Sequence, residues 1–355
     1  MRPLVLVTGA CGNVGAATVR ELVEQGLRVR ALDLPTKANR AVATGFSARV
    51  DRCWGSITDR DLLSRALGGV DHVLHLAAVI PPGTDADQLA AYAVNVGGMR
   101  TLIDAASAAA TPPGITFTST AQVYGRNAEA TGPRRVDEEV HPEDTYSRQK
   151  VECEGLLRAS GLGWTVFRLG MTPPVALVPI IPFVFELHPE TRVEFTHPRD
   201  VANALAGTVG NEAVGGKVLN VAGGADKRAL YRDWLNESLA VMGVAPLPFD
   251  AFGDRRFYTD WLDTDESQAL LGYQQRYYSD YLDDIRALLG PRLAAIRAAA
   301  PLVRRFILAN SPYAAGAGAR RPVVAARSQL ARARRASGAI GPWLADYRTH
   351  LDPRR

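Results

Sequence analysis

Short apolar runs alternate with amphipathic or Ala-rich segments along the first 170 residues of this 355-residue chain. The apolar runs are rich in β-branched residues and predict buried parallel strands. The predicted strands cover residues 3–8, 27–33, 49–54, 71–76, 115–119 and 164–169. The predicted helices cover residues 16–25, 59–67, 88–109 and 145–160. Strands that alternate with helices predict an α/β fold built on a doubly wound parallel sheet with right-handed crossovers.

The pattern changes after residue 170. Residues 171–189 are apolar and Pro-rich, and a helix over 199–209 and a strand over 217–221 follow. Two or three helices are predicted over 228–290. We therefore expect a first domain over 1–170, a smaller region over 171–290 interleaved with the last strands of the sheet, and a helical Ala/Arg-rich extension over 291–355.

The charge is unevenly distributed between the body and this extension. Residues 291–355 carry thirteen Arg and two Asp, a net charge of +11, which leaves −7 for residues 1–290 of a chain with +4 overall. Apolar residues of the extension alternate with arginines, which permits peripheral contact with an anionic membrane. These apolar residues are Leu293, Ile296, Val303, Phe306 and Ile307. A solvated appendage, or packing against the body or a partner subunit, is the alternative. Few aromatic residues are available there for stacking on single-stranded nucleic acid, so nucleic acid is not an expected partner.

The cysteines and the apolar segments indicate a cytoplasmic protein. Cys11, Cys53 and Cys153 are scattered and form no zinc or disulfide pattern, which fits a reducing compartment. The first functional motif begins at Val7, so we expect no signal peptide. The longest apolar stretch, residues 171–185, contains four prolines and is too short to span a bilayer.

Three glycines, Gly9, Gly12 and Gly15, lie between the first predicted strand and the first predicted helix. In such a turn the first glycine permits the tight bend, the second permits approach of a pyrophosphate, and the third permits close packing of helix on strand. The helix amino terminus also presents N–H groups to an anion. We therefore predict a Rossmann domain that binds a dinucleotide over residues 1–170.

Asp33 ends the second predicted strand, 24 residues after Gly9. A carboxylate at this position accepts hydrogen bonds from the adenosine ribose hydroxyls and repels a 2′-phosphate. The sequence therefore favours NAD over NADP. The basic residues Lys37 and Arg40 lie nearby and keep NADP open as the less favoured alternative.

A candidate catalytic set consists of Tyr146, Lys150 and a hydroxyl from the pair Ser119 and Thr120. Tyr146 and Lys150 are four residues apart on a predicted helix and hence on one face. A nearby ammonium is expected to lower the pKa of the phenol and favour the tyrosinate. The hydroxyl pair Ser119 and Thr120 ends a strand whose carboxyl end faces the ligand crevice of such sheets, and one of these hydroxyls could hold a substrate oxygen. Tyr146 would then transfer the proton.

Together these motifs resemble those of the extended short-chain dehydrogenase/reductases, the NAD-dependent epimerase/dehydratase group. The matching pieces occur in family order over residues 3–225: residues 8–15, Asp33, 75–78, 95–98, 119–125, 146–150, Arg168 and 197–202. The resemblance implies catalysis by Thr120, Tyr146 and Lys150. It also implies cofactor contacts from Asn13 and Val14 at the pyrophosphate, from Ser56 and Ile57 at the adenine, and from Leu76, Ala77, Ala78 and Asn95 along the same groove. Tyr146 and Lys150 would contact the cofactor as well, no metal is implied, and family members are often homodimers.

One departure from the family pattern bears on the cofactor and another on the substrate. Ser56 replaces the usual Asp at the adenine, and the long substrate insert of nucleotide-sugar enzymes is absent after Gly170. The apolar segment over 175–185 instead favours a smaller or more apolar substrate pocket, or plain core packing. The sequence therefore predicts an NAD-dependent oxidoreductase acting on a secondary alcohol or ketone. The alternatives are an epimerase or dehydratase that recycles NAD internally on a sugar-like substrate, and a non-catalytic dinucleotide sensor. No residue set specifies the substrate.

Overall fold

Seven parallel strands form one sheet with the order β3-β2-β1-β4-β5-β6-β8. The computed structural model describes residues 2–126, 132–176, 182–255 and 257–314. The sheet strands are β1 (Leu4–Thr8), β2 (Arg28–Asp33), β3 (Asp51–Trp54), β4 (His72–His75), β5 (Gly114–Thr120), β6 (Trp164–Leu169) and β8 (Val218–Val221). Two short strands, β7 (Arg192–Glu194) and β9 (Arg228–Leu230), lie outside this sheet. The predicted α/β fold with a Rossmann-type parallel sheet is confirmed.

The strand order reverses between β1 and β4, because the chain first winds outward through β2 and β3 and then returns to the other side of β1. Ligands of such sheets bind at the carboxyl ends of the strands, at this switch point. The register aligns Thr8 at the end of β1 with His75 at the end of β4. The loops that follow these two residues therefore flank the crevice.

The described residues up to 271 form eleven α-helices. They are α1 (Asn13–Glu24), α2 (Lys37–Ala43), α3 (Arg60–Ala66), α4 (Gly83–Ala86), α5 (Gln88–Tyr92), α6 (Gly98–Ser107), α7 (Thr145–Arg158), α8 (Pro182–Glu186), α9 (Pro198–Ala206) and α11 (Asp265–Leu271), with α10 (Tyr231–Ala240) between the last two. The predicted helix over 88–109 is interrupted by a π-helical segment at Ala93–Gly97. Sequence reasoning also missed α2, a short helix that Thr36 caps by accepting a hydrogen bond from the N–H of Asn39.

Two apolar clusters cover the faces of the sheet. Alternate β1 residues supply both clusters, since Val5 and Val7 point to one face and Leu4 and Leu6 to the other. All four side chains are at most 5% exposed. This explains why β1 is uniformly apolar and lacks the polar alternation of a half-exposed strand.

The chain divides into two compact units. The first unit comprises residues 1–174, 193–228 and 258–278, and it contains the whole seven-stranded sheet. The second comprises residues 175–192, 229–257 and 279–355. Assigning cofactor binding to residues 1–170 and substrate binding to residues 171–290 remains a functional prediction.

The second unit contains the start of the basic extension. Its described helices after α10 are α12 (Tyr278–Leu289, from its second residue), α13 (Arg292–Ala298) and α14 (Ala300–Ala309). Arg297 and Arg304 donate to the backbone carbonyls of Val241 (3.1 Å) and Pro246 (3.0 Å), which ties α13 and α14 to the segment after α10. Residues 315–355 of the extension lie outside the described residues.

The predicted apolar stripe of the extension is not one exposed face. Ile307 is buried, whereas Phe306 is 57% exposed and Leu302, which the prediction did not include, is 70% exposed. Leu293, Ile296 and Val303 are half-buried. Among the described helices, none has the combination of length and apolarity needed to cross a lipid bilayer.

Candidate active site

The glycine turn between β1 and α1 permits backbone approaches that no side chain could allow. Gly9 has φ +68°, and a Cβ there would lie 2.8 Å from the backbone nitrogen of Ala77. A Cβ on Gly15 would lie 2.1 Å from the carbonyl oxygen of Gly9. A Cβ on Gly12 would meet only that same oxygen, at 3.3 Å. Gly9 and Gly15 are therefore required by the fold of the turn, whereas Gly12 leaves its outer side open.

The amino terminus of α1 faces this opening. Among the described residues, no side chain caps the first turn of α1. Its leading N–H groups and the positive end of the helix dipole are therefore available to an anion. The two residues predicted to contact the pyrophosphate are engaged differently: Asn13 donates through Nδ2 to the carbonyl of Thr172 (3.1 Å), and Val14 packs against the core. Any contact from Val14 to an anion would come from its backbone.

Several donors hold Asp33 at the end of β2. Its Oδ2 accepts from the backbone N–H of Cys11 (2.7 Å), and its Oδ1 accepts from the backbone N–H of Leu34 (2.7 Å) and from Nδ2 of Asn39 (2.8 Å). The carboxylate is thus attached to the glycine turn on one side and to α2 on the other. Sequence reasoning singled out Asp33 but missed Asn39, which lies six residues later.

The residues predicted near the adenine have mixed environments. The hydroxyls of Ser56 and Thr58 lie 2.7 Å apart. Ile57 is 5% exposed and belongs to the apolar cluster that contains Leu4 and Leu6. Its side chain fills the space that a Cβ on Gly98 would need. The guanidinium of Arg40 lies 5.0 Å from the ring centroid of Trp54, so this cation is stacked on the end of β3.

The loop after β4 is fixed from both sides. Oγ1 of Thr8 accepts from the backbone N–H groups of Leu76 and Ala77 (3.2 Å each) and lies 2.7 Å from Nδ1 of His75. Burial lowers the pKa of His75 to about 3, so this ring is neutral at physiological pH. Ala78, which was also predicted along the groove, is half-buried in the same loop. Thr8 therefore holds the turn that carries the predicted groove residues.

Asn95 joins that loop to the helix of the candidate catalytic residues. Its Oδ1 accepts from the N–H of Val79 (2.7 Å), and its Nδ2 donates to the carbonyl of Val79 (2.9 Å) and to Oε1 of Gln149 (2.7 Å). The π-helical segment places this amide, which is 4% exposed, between the two elements. The Asn95 side chain is thus occupied by protein partners, and its direct contact with a cofactor remains a prediction.

Tyr146 and Lys150 lie together on α7, as predicted. The Lys150 ammonium lies 5.5 Å from the centroid of the Tyr146 ring and donates to the carbonyl of Thr118 (2.7 Å). Thr118 lies two positions before the candidate residue Thr120 in β5. The Thr120 hydroxyl accepts a hydrogen bond from the N–H of Gln122 (3.3 Å). Among the described residues, the Tyr146 hydroxyl has no hydrogen-bond partner. A phenol in this state is available to a ligand.

The electrostatics of this pair differ from the expectation. Burial raises the pKa of Tyr146 above its ordinary value, and the Asp144 carboxylate adds to the increase. Burial also lowers the pKa of Lys150 to about 8. The predicted lowering of the phenol pKa by Lys150 is therefore wrong, because burial favours the neutral phenol. Tyr146 is a neutral phenol at physiological pH.

Comparison with known proteins finds a family model that resembles the part of the chain containing this site. The model of the NAD dependent epimerase/dehydratase family matches residues 5–172. The 3 beta-hydroxysteroid dehydrogenase/Delta 5-->4-isomerase of Mycobacterium tuberculosis strain CDC 1551 is 31% identical over 160 residues, which are 44% of this chain and 42% of that protein. Sterol demethylase protein B of Methylococcus capsulatus is 32% identical over 198 residues, 55% of this chain and 57% of that protein. The match thus spans about half the length of these curated relatives.

A solved structure extends the similarity over most of the chain. A double mutant of dTDP-glucose 4,6-dehydratase from Streptomyces venezuelae, crystallised with NAD bound, has a TM-score of 0.69 and 25% identity, covering 81% of this chain and 97% of that chain. This similarity supports a fold shared with that protein over most of the chain. Residues 5–172, a little less than half of the chain, are thus similar to the NAD dependent epimerase/dehydratase family.

Proposed function

We propose that this protein is an NAD-dependent dehydrogenase or reductase that transfers hydride between the nicotinamide and the carbon of a secondary alcohol or ketone. The observation that carries the proposal is the Tyr146 phenol, unpartnered among the described residues and one helical turn from a buried ammonium. Thr120 lies on the strand end to which that ammonium is bonded. An acid/base group, a cation and a hydroxyl at the ligand-binding edge of the sheet are what alcohol oxidation requires.

The chain's own residues fit the cofactor. The open side of Gly12, the uncapped start of α1 and the fixed Asp33 carboxylate would hold a dinucleotide by its pyrophosphate and its adenosine ribose. Bound NAD supplies the hydride acceptor or donor. Leu76, Ala77 and Ala78 would line the groove towards the nicotinamide, and their loop is already held by Thr8 and Asn95.

The proton chemistry is assigned to Tyr146. As a neutral phenol it is ready to donate its proton to the oxygen of a ketone, while the Thr120 hydroxyl orients that oxygen. In the oxidation direction the phenol first loses its proton to solvent, and the phenolate then accepts the hydroxyl proton of the alcohol. The Lys150 ammonium stabilises this phenolate. Lys150 keeps its own position through the carbonyl of Thr118.

Two alternatives use the same site. In an epimerase or dehydratase, NAD is reduced and reoxidised within one turnover, and the structural similarity to a dTDP-glucose 4,6-dehydratase supports this alternative. A non-catalytic dinucleotide sensor would need none of Thr120, Tyr146 and Lys150. The two relatives named for a steroid and a sterol support an apolar alcohol as substrate. Residues 177–181 of the predicted apolar pocket segment lie outside the described residues.

NADH absorbance separates these possibilities. We expect NADH to accumulate when the protein is mixed with NAD and a 3β-hydroxysteroid. Conversion of a nucleotide sugar without net NADH would favour the epimerase or dehydratase. Tight NAD binding without turnover of any secondary alcohol or nucleotide sugar would contradict the proposal and favour the sensor.

The preference for NAD over NADP is proposed to depend on Asp33. Asp33→Asn keeps the size of the side chain and removes its charge, so we expect NAD to bind about 10-fold more weakly, in line with the loss of one hydrogen bond to a charged group. The ratio of the affinity for NAD to the affinity for NADP should fall as well. Calorimetric titration of both dinucleotides measures the two effects. Asp51→Asn, at the exposed start of β3, is the control: it also removes one negative charge and should change neither the NAD affinity nor the preference for NAD. Tighter binding of NADP than of NAD by the unchanged protein would contradict the proposed role of Asp33.

The cellular compartment, membrane contact and oligomeric state of the protein also belong to the proposal. The three thiols are unpaired, which supports a reducing compartment such as the cytoplasm. The exposed Leu302 and Phe306, next to an Arg-rich sequence, support peripheral contact with an anionic membrane. A homodimer is proposed from the family resemblance alone.

A further inference from the structure

One buried carboxylate connects the helix of the candidate catalytic residues to two strands. Glu154 is 4% exposed, and its Oε1 accepts from Oγ of Ser119 at 2.5 Å. Its Oε1 and Oε2 also accept from Nε (3.2 Å) and Nη2 (2.9 Å) of Arg168. Ser119 in β5 and Arg168 in β6 are register partners in the sheet. Glu154 therefore contacts adjacent strands at the same level.

The position of this carboxylate relative to Tyr146 is set by the helix. Tyr146, Lys150 and Glu154 are spaced by four residues along α7, so they share one face. Lys150 bonds to the carbonyl of Thr118, and Glu154 bonds to the next residue, Ser119. The helix is therefore attached at two successive residues of β5, and the residue after them is Thr120.

The attachment continues into a buried polar network. Nη1 of Arg168 donates to the hydroxyl of Tyr124 (3.1 Å), which in turn donates to Oδ1 of Asn220 in β8 (2.7 Å). Arg168, Tyr124 and Asn220 are each at most 5% exposed. A buried ion pair contributes little net stability, since desolvation of both charges offsets their attraction. Such a network does, however, fix one arrangement of the elements that it joins.

We propose that Glu154 is a positioning residue, which sets the register of α7 against β5 and thereby the placement of Tyr146 and Lys150 relative to Thr120. This inference rests on the proposed function. Glu154 contacts Ser119 and Arg168 and does not touch the Tyr146 hydroxyl, so it acts through the placement of other groups. Its charge has a second effect, because the carboxylate opposes the lowering of the Lys150 pKa by burial.

The test compares Glu154→Gln with Glu152→Gln. The first variant keeps the shape of the side chain and removes the charge that binds Arg168. The second removes the same charge from the exposed side of the same helix, where Glu152 pairs with Arg100. The chain has four lysines, Lys37, Lys150, Lys217 and Lys227, so the Nζ of Lys150 can be resolved by ¹⁵N NMR and titrated. This readout needs no substrate.

For Glu154→Gln we expect the Lys150 pKa to fall below that of the unchanged protein. We also expect kcat with a 3β-hydroxysteroid to fall by roughly 10-fold to 100-fold at unchanged Kd for NAD, as for a small misplacement of reacting groups. Glu152→Gln should change neither. An unaltered Lys150 titration together with unaltered kcat would overturn the proposal and leave Glu154 as an ordinary core ion pair.

A second variant covers the case in which Glu154→Gln does not fold. Ser119→Ala leaves the Glu154–Arg168 pair intact and removes only the side-chain hydrogen bond between Glu154 and β5. This variant should also have a lower kcat than the unchanged protein. Full activity of Ser119→Ala would contradict the proposal. If no alcohol is oxidised by the unchanged protein, the proposed function fails, while the Lys150 titration still decides whether Glu154 and the catalytic pair are coupled.

Discussion

Tyr146→Phe should reduce turnover by about 10²-fold to 10⁴-fold while NAD binding stays within about twofold of that of the unchanged protein. The substitution removes one hydroxyl, the group assigned to proton transfer, and general acid–base catalysis contributes a factor of this size. Because that hydroxyl has no partner among the described residues, its removal breaks no internal hydrogen bond. The melting temperature should therefore be unchanged or slightly higher. Steady-state kinetics, NAD titration and thermal unfolding on the same preparation measure all three.

Tyr92→Phe is the matched control. The Tyr92 hydroxyl donates to Glu152 at the protein surface, 2.8 Å away, and its ring is 41% exposed. Loss of this hydroxyl should leave turnover and NAD binding unchanged. Substantial activity in Tyr146→Phe would remove the proton-transfer role of Tyr146, and a parallel loss in both variants would indicate a general effect on the protein.

The strands and the main motifs were predictable because their signals are local. An apolar run such as β1 is buried on both faces, so its composition alone identifies it. Gly9 and Gly15 were predictable because their roles depend on the turn in which they lie. Likewise, the spacing of Tyr146 and Lys150 specifies one helical face without reference to the rest of the fold.

The partners of these residues were not predictable, because they come from distant parts of the chain. Asn95 bonds to Gln149, 54 residues away, and Ser119 bonds to Glu154, 35 residues away. The spacing of Glu154 by four residues from Lys150 was a usable signal for a shared face, but only the register of α7 against β5 shows which strand residue it meets.

The direction of the Tyr146 pKa shift was wrong for a related reason. Sequence reasoning counted the attraction of Lys150 and could not weigh it against burial, which depends on the tertiary structure. In the folded protein, desolvation raises the pKa of the phenol and lowers that of the ammonium. Both groups are thus shifted towards their neutral forms, as expected for two ionisable groups removed from water.

The glycine turn gives the second large prediction, in which alanine at Gly15 and alanine at Gly12 weaken NAD binding for different reasons. In Gly15→Ala the new Cβ would lie 2.1 Å from the carbonyl oxygen of Gly9, so the backbone of the turn must move. Overpacking of this kind costs roughly 1–3 kcal/mol. We expect the melting temperature to fall by several degrees, at roughly 2–4 °C per kcal/mol for a domain of this size. NAD binding should be lost together with the shape of the turn.

Gly12→Ala should separate the two effects. Its Cβ meets only one oxygen, at 3.3 Å, and otherwise points to the open side where a pyrophosphate would approach. We therefore expect a melting temperature close to that of the unchanged protein and NAD binding weakened by about 10-fold or more. Gly155→Ala on α7 is the control, since no atom lies within 4 Å of its new Cβ and alanine is the better helix former. If Gly12→Ala bound NAD as tightly as Gly155→Ala does, the dinucleotide would not lie against this turn, and the assignment of the cofactor site would be wrong.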